Sequence, residues 1–255
     1  MPDLVDTHAH LDDASFGIDG DAMYARSAQA GVRRWVVPAI DRANWDAVDR
    51  LSRERPGVFP AFGLHPLFVD RHEDSHLSAL PRWLDEHAAV AVGEIGLDAY
   101  VEGLDLARQR TLFQRQLAIA REQDLPVIVH GRRAFEEVLH TLRRVGRLRG
   151  VVHSFAGSEE QARQLFDLGF HLGIGGPVTY ERAARIRRVV ATMPLAWLLL
   201  ETDSPDQPCA GHRGERNEPA FMLEVLDTVA RLRGEDPDAV AAATTANAAA
   251  LFGLS

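Results

Sequence analysis

The sequence predicts an α/β fold, a (β/α)8 barrel, on three observations: eight short apolar runs, amphipathic stretches between them, and a length of 255 residues. Short β-branched or aliphatic runs without alternation read as strands buried on both faces, the pattern of a parallel sheet. Eight such strands alternating with helices over about 250 residues close into a barrel. The nearest rival is a doubly wound open sheet, but no G-x-G-x-x-G follows the first run.

The runs are, in order, LVDTHAH at 4–10, RWVVPAI at 34–40, VFPAFGLHP at 58–66, AVAVGEIGLD at 89–98, PVIVHG at 126–131, GVVHSF at 150–155, FHLGIGGPV at 170–178 and WLLLETDSP at 197–205. Between the fourth and fifth, DLARQRTLFQRQLAIAREQ repeats its apolar residues every three to four positions, as a helix with one buried face does. Between the sixth and seventh, SEEQARQLFDLG opens on Ser158, an N-cap whose hydroxyl can accept a first-turn N–H, and stops at Gly169. NEPAFMLEVLDTVARLRG and DPDAVAAATTANAAALFG read as closing helices. No linker, repeat or low-complexity tract interrupts the chain, so one domain is expected over 1–255.

A hydrophobic content of 46% excludes a disordered chain. The formal net charge of −9 argues against duplex binding through a broad basic face, so any nucleic-acid contact must be local. Cys209 is the single cysteine, which rules out an intramolecular disulfide, and the opening MPDLVDTHAHLDD has neither the basic nor the apolar part of a signal segment. A cytoplasmic setting is expected. No run approaches the roughly 20 apolar residues that cross a bilayer, so no membrane partner is expected either.

Polar residues fall where a barrel would use them. Six of the eight runs carry a potential metal ligand toward the C-terminal end: His8 and His10, His65, Glu94, His130, His153 and Asp203. Side chains alternate along a strand, so His8 and His10 face the same way, and all strand ends of a parallel barrel open onto one rim. His72, His76, His87 and His140 lie in loops or helical segments where a solvated role is the default. His212 follows the eighth strand, and His171 opens the seventh on the opposite rim as a structural residue. Imidazole and carboxylate together suit zinc, manganese or magnesium. A catalytic ion keeps about three protein ligands and an open position, so this surplus points to two divalent ions. An anionic ligand is then wanted between them. All 28 basic residues are arginine, so a carboxylated lysine is unavailable, and Glu94 is the candidate bridge.

With VDTHAHLD, GLHP, GEIGLD, PVIVHGR, VVHSFAGS, GIGGPVTY and LLLETDSP in order, the sequence resembles the TatD-type metal-dependent deoxyribonuclease family from Leu4 to Leu251. GGPVTY and ETDSPDQP are most similar to its YjjV-like branch. DTHAH alone is widespread among metal-dependent hydrolases, whereas GEIGLD and ETDSP at these separations are specific. The resemblance implies a TIM barrel of the metal-dependent hydrolase type that hydrolyses DNA phosphodiesters and trims single strands or 3′ ends; the sequence leaves the oligomeric state open, with a monomer as the expectation. It implies one metal on His8, His10 and Asp203, a second on His130 and His153, and Glu94 as the bridge. His65 would contact the scissile phosphate and Arg132 would lie near the substrate phosphate. Ala9 stands where many relatives have cysteine, facing away from the metals. Gly131 and Arg133 replace a serine and an acid. Arg133 reads either as an added phosphate contact or, more simply, as the exposed first turn of a helix. Asp206 stands where an aromatic often follows, which removes a stacking surface.

On this reading an activated water attacks phosphorus in line, Asp203 accepts its proton, and His65 and Arg132 stabilise charge on the phosphoryl oxygens. The catalytic set is then Asp203, Glu94 and His65. Glu201, two positions before Asp203, either orients a ligand histidine or pairs with an arginine. The ligand set does not name the bond: a hydrolase of small phosphoesters, lactones or amides is the alternative. A nucleic-acid-binding protein with a vestigial site fits poorly with a complete ligand set and an acidic chain.

Overall fold

The computed structural model describes residues 3–17 and 19–254, so the ends of the domain expected over 1–255 lie outside the described residues. Eight parallel strands pair in chain order: β1 Leu4–Asp6, β2 Val32–Pro38, β3 Val58–Phe62, β4 Ala91–Asp98, β5 Val127–Arg132, β6 Gly150–Val152, β7 Phe170–Ile174 and β8 Leu198–Leu200. The sheet curls until its last strand meets its first. Thr7 donates its N–H and its hydroxyl to Leu200 O at 3.1 and 2.9 Å, and His10 N–H reaches Ser204 O at 2.8 Å. The fold is the expected (β/α)8 barrel.

Helices follow the strands: α1 Gly20–Gln29, α2 Trp45–Glu54, α3 Asp74–Glu86, α4 Leu106–Glu122, α5 Phe135–Val145, α6 Glu159–Asp167, α7 Ala184–Thr192, α8 Met222–Arg233 and α9 Pro237–Phe252. Some are capped by their own sequence. Ser158 caps α6 in a reciprocal box with Gln161, and Gly169 behind it has φ 87°, a left-handed position that suits glycine. Asp105 caps α4 by accepting the Arg108 N–H. No helix among the described residues is long and apolar enough to cross a membrane.

Two apolar layers result. Outward-facing strand residues pack under the helices around Trp45, Phe62, Phe113 and Phe170, all fully buried. Inside the barrel, Val5, Val36, Ala61, Ala91, Ile128, Val151 and Leu199 form a second layer. β7 contributes His171 in register with Val151. Ala248, Leu251 and Phe252 of α9 close this layer, and Asn247 donates to Leu195 O and Leu198 O where β8 begins. The barrel is therefore stoppered at its N-terminal mouth and open at the other.

Most strands are shorter than their sequence runs, and β1, β6 and β8 are shorter by half or more. β1 stops at Asp6 because the Asp6 carboxylate takes the His8 N–H at 3.2 Å, and β6 and β8 end where Ser154 (φ 46°) and Asp203 (φ 59°) turn left-handed. The predicted ligands lie just past these ends. Glu94, in contrast, sits inside β4, which runs on to Asp98; the register slips between Val92 and Ile95, an irregularity that re-aims a side chain beside a site.

The stopper sets a stability expectation. Phe252→Ala, a cut of a nearly buried ring, should lower unfolding free energy by about 3 kcal/mol, read as a lower urea midpoint with an unchanged slope.

Candidate metal centre

The centre is built around one buried carboxylate. Glu94 is 1% exposed, and its two oxygens face two different groups of ring nitrogens. Oε2 lies 3.2 Å from His8 Nε2 and 3.7 Å from His10 Nε2. Those two nitrogens are 3.3 Å apart, and Asp203 Oδ1 completes the group at 3.5 and 3.6 Å from them. Oε1 lies 3.0 Å from His130 Nδ1 and 2.8 Å from His153 Nε2, which are themselves 3.2 Å apart. His8 and His153 stack with centroids 4.0 Å apart, joining the two groups.

These distances fit a cation. Four donors around an ion with bonds of about 2.1 Å lie about 3.4 Å from one another, and the first group spans 3.2 to 3.7 Å. Two imidazole nitrogens 3.3 Å apart can share one proton, but Glu94 Oε2 and Asp203 Oδ1 face the same point, so the four atoms carry more lone pairs than one proton satisfies and suit a cation. His8, His10 and Glu94 can hold a metal ion, and so can His65, Glu94 and His130, or His8, His153 and Glu201, taken as donor geometry.

Outer hydrogen bonds decide which ring nitrogen is free. His130 Nε2 donates to Asp98 Oδ2 at 2.8 Å, leaving Nδ1 as the lone pair toward Glu94. Burial resists ionising Asp98, but the bonds from His130 and from the N–H groups of Tyr100 and Val101 hold its carboxyl below the usual range. His65 works the other way. Its Nδ1 accepts the Leu67 N–H at 3.1 Å, so Nε2 carries the proton and donates to Glu94 Oε1 at 2.9 Å. His65 is thus a donor beside the centre, although its position also allows ligation.

Electrostatics follow from burial and this ring of imidazoles. Burial disfavours the Glu94 charge, but His153, His65 and His8 overcome it and hold the carboxyl well below its ordinary value. Burial pushes His8 and His65 down to about 4, whereas the Glu94 charge, against burial, raises His153. Glu201 is fully buried and pushed up to about 8 by that burial. It accepts the Ser154 N–H at 2.5 Å and lies 3.9 Å from His153 Nδ1, beyond hydrogen-bond reach, and among the described residues no arginine pairs with it. Gly173 makes the room: a Cβ there would lie 2.2 Å from Glu201 Oε2. Asp6, raised to about 7 by burial, accepts from Thr202 and His8 and ties the first strand to the last.

Several residues take places the sequence reading did not assign. Asp98 and Gln207 were not singled out; Gln207 donates to Asp203 Oδ2 and accepts the Ser154 hydroxyl at 2.8 Å. His72 is buried, not solvated, because the 3-10 turn at Pro66–Arg71 folds it back to donate to His65 O at 2.8 Å. His87 is half-buried, 2.8 Å from Asp49 and stacked on Trp83. Arg133 is not the first turn of a helix: α5 starts at Phe135 behind the N-cap Ala134, and Arg133 precedes it with φ 52°. Arg132 is exposed at the end of β5, its guanidinium carbon 3.7 Å from the Tyr100 ring centroid. The centre opens into a cavity of about 1170 Å³ whose walls include His10, His65, Phe68, Arg132, Phe155 and Asp206.

Comparison with known proteins gives a consistent set of relatives. Residues 5–253 match the family model described as TatD related DNase. The chain is 41% identical over 98% of both chains to the uncharacterized metal-dependent hydrolase YjjV of Escherichia coli K12. It is 34% identical, again over 98% of both, to the uncharacterized metal-dependent hydrolase YabD of Bacillus subtilis 168. The crystal structure of Escherichia coli YjjV, a TatD homologue, superposes with a TM-score of 0.95 at 40% identity, over 99% of this chain and 98% of that one.

The Asp98 bond makes a test of the outer shell. Asp98→Asn should weaken zinc or manganese binding by about ten- to a hundredfold, measured by calorimetric titration of chelator-stripped protein, with the far-ultraviolet circular dichroism unchanged.

Proposed function

Since the chain belongs to the TatD-related DNase family and is a metal-dependent hydrolase, we propose that it hydrolyses DNA phosphodiesters, trimming single strands from the 3′ end with two divalent ions. The observation that carries this reading is the division of Glu94, one oxygen to each group of donors. His8, His10 and Asp203 would hold one ion and His130 and His153 the other, with Glu94 between them. Two such ions supply a water of lowered pKa and neutralise charge on the attacking and leaving oxygens of a displacement. Imidazole favours zinc and carboxylate favours manganese or magnesium, so availability selects the metal.

The protein's own groups do the rest. Asp203 divides its oxygens: Oδ1 faces His8 and His10, and Oδ2, oriented by the Gln207 amide, is the atom that takes the water's proton. His65 carries its proton on Nε2, with its Nδ1 held by Leu67 and its carbonyl by His72; that N–H lies on Glu94 Oε1 and would pass to a phosphoryl oxygen once an ion takes up Oε1. Arg132 on the rim supplies a fixed positive charge to the same phosphate. The cavity volume favours a chain end over a small lactone or amide, since about 1170 Å³ exceeds the roughly 300–1,000 Å³ of small-ligand sites. We assign the enzyme to the cytoplasm, acting as a monomer.

The test is a substrate panel: 3′-fluorescent single-stranded DNA beside p-nitrophenyl phosphoesters and lactones, each with and without chelator. DNA should be shortened from its 3′ end and chelation should stop it. Turnover of lactones alone, or DNA cleavage that survives metal stripping, contradicts the reading. Asp203→Asn should lower kcat by about 10²–10⁴-fold, the range of a lost general base, with KM little changed. Glu94→Ala should fold, lose activity and lower bound metal by elemental analysis.

A further inference from the structure

We propose that Arg133, Arg182 and Arg185 form a second anion subsite, which holds a phosphate next to the one being hydrolysed, so that the substrate is a chain of phosphates and not a single phosphoester. This deepens the reading above and rests on a phosphodiester lying over the Glu94 centre.

The cavity above the centre is divided by charge. Asp12, Asp13 and Asp206, which follow β1 and β8, line one side. Arg132 and Arg133 at the end of β5, with Arg182 and Arg185 after β7, line another. In a barrel of this strand order β5 stands across from β1, so Arg132 and Arg133 lie opposite Asp12 and Asp13, while Arg182 and Arg185 follow β7, beside β8. A polyanion crossing the centre is repelled from the β8–β1 side and drawn to the β5–β7 side.

Some arginines of the surface are committed to carboxylates. Arg26 holds Asp19 and Glu218, Arg110 holds Glu137, and Arg216 holds Asp19. Arg132, Arg133, Arg182 and Arg185 share the lack of an ion pair with Arg144, Arg188 and other arginines among the described residues; what sets the four apart is that they line one cavity. Arg132 and Arg133 are also gathered on one ring, their guanidinium carbons 3.7 and 4.7 Å from the centroid of Tyr100. Two like charges on one ring repel, and an anion between or beside them removes that cost.

The backbone is bent to put Arg133 there. It is an L-residue in the left-handed region, a conformation that costs about 1–2 kcal/mol and persists where the surroundings demand it. Tyr100 is 45% exposed, one of the few large hydrophobic side chains left open, and it offers a face or edge to a base beside the phosphate. On the same side, after β7, α7 begins behind Ala183, an N-cap with no side-chain acceptor, so its first amides add partial positive charge beside Arg182 and Arg185. Both features suit a nucleotide with its phosphate.

The test separates binding from cleavage. Arg133→Ala/Arg185→Ala is compared with the wild type and with Arg144→Ala, an exposed arginine outside the cavity. Binding of a fluorescein-labelled, phosphorothioate-linked octathymidylate to the metal-loaded protein is read by anisotropy over a range of salt. Turnover of bis(p-nitrophenyl) phosphate, which has one phosphate, is read in parallel. The double variant should bind the octamer about tenfold more weakly, with a log–log salt slope lower by about 0.7 per arginine removed. Its bis(p-nitrophenyl) phosphate kinetics and the Arg144→Ala values should match the wild type. Equal octamer binding by double variant and wild type, no octamer binding by the wild type, or an equal loss on the single-phosphate substrate overturns the subsite. A wild type that binds the octamer yet leaves ordinary DNA uncut sinks the nuclease reading alone, since the loss of binding still decides the subsite.

Discussion

One ionised carboxylate buried among imidazoles is the constraint on which the rest of the molecule depends. Removing a carboxylate from water costs several kcal/mol unless charges and hydrogen bonds compensate it. Glu94 is compensated by groups from four other strand ends: His8 and His10, His65, His130 and His153. None of these is its neighbour in sequence. Only a closed parallel barrel brings them to one point, and only a stoppered one keeps them in a dry floor below an open mouth. The α9 residues that fill the far end thus serve the centre by packing apolar side chains beneath it.

The same constraint explains the second ring of acids. Asp98, Glu201 and Asp6 are all buried, and each bonds a group at or next to a donor of the centre: the far nitrogen of His130, the backbone N–H of Ser154 beside His153 and the backbone N–H of His8. A histidine has two nitrogens and a rotatable ring, so its ligand atom is defined only when the other nitrogen is engaged. His65 shows the converse case, where a backbone amide engages one nitrogen and leaves the other as a donor. The centre is consequently a mixture of lone pairs and N–H groups whose arrangement was set before any substrate arrives. This preorganisation is what a polar site in a dry cavity can contribute to a charged transition state.

Much of this was legible in the sequence, and the gaps have physical causes. Eight apolar runs revealed the barrel, and the alternation of strand side chains brought His8 and His10 together. The same alternation could have drawn attention to Asp98, four positions after Glu94 in GEIGLD, since both reach the ring of His130. Gln207 was beyond reach because its contact with Asp203 depends on the path of the loop after β8. His72 was hidden by a 3-10 turn that reverses its direction, and Arg133 by a single left-handed residue that delays the helix. Patterns repeated along a strand or helix can be read from sequence; single-residue turns that aim a side chain cannot.

The central claim is that Glu94 joins two metal positions with different partners. Anomalous diffraction from crystals loaded with zinc or manganese tests it directly. The account predicts two peaks, one against His8, His10 and Asp203 and one against His130 and His153, each within bonding distance of a different Glu94 oxygen. A single peak, or two peaks of which one does not touch Glu94, would contradict it.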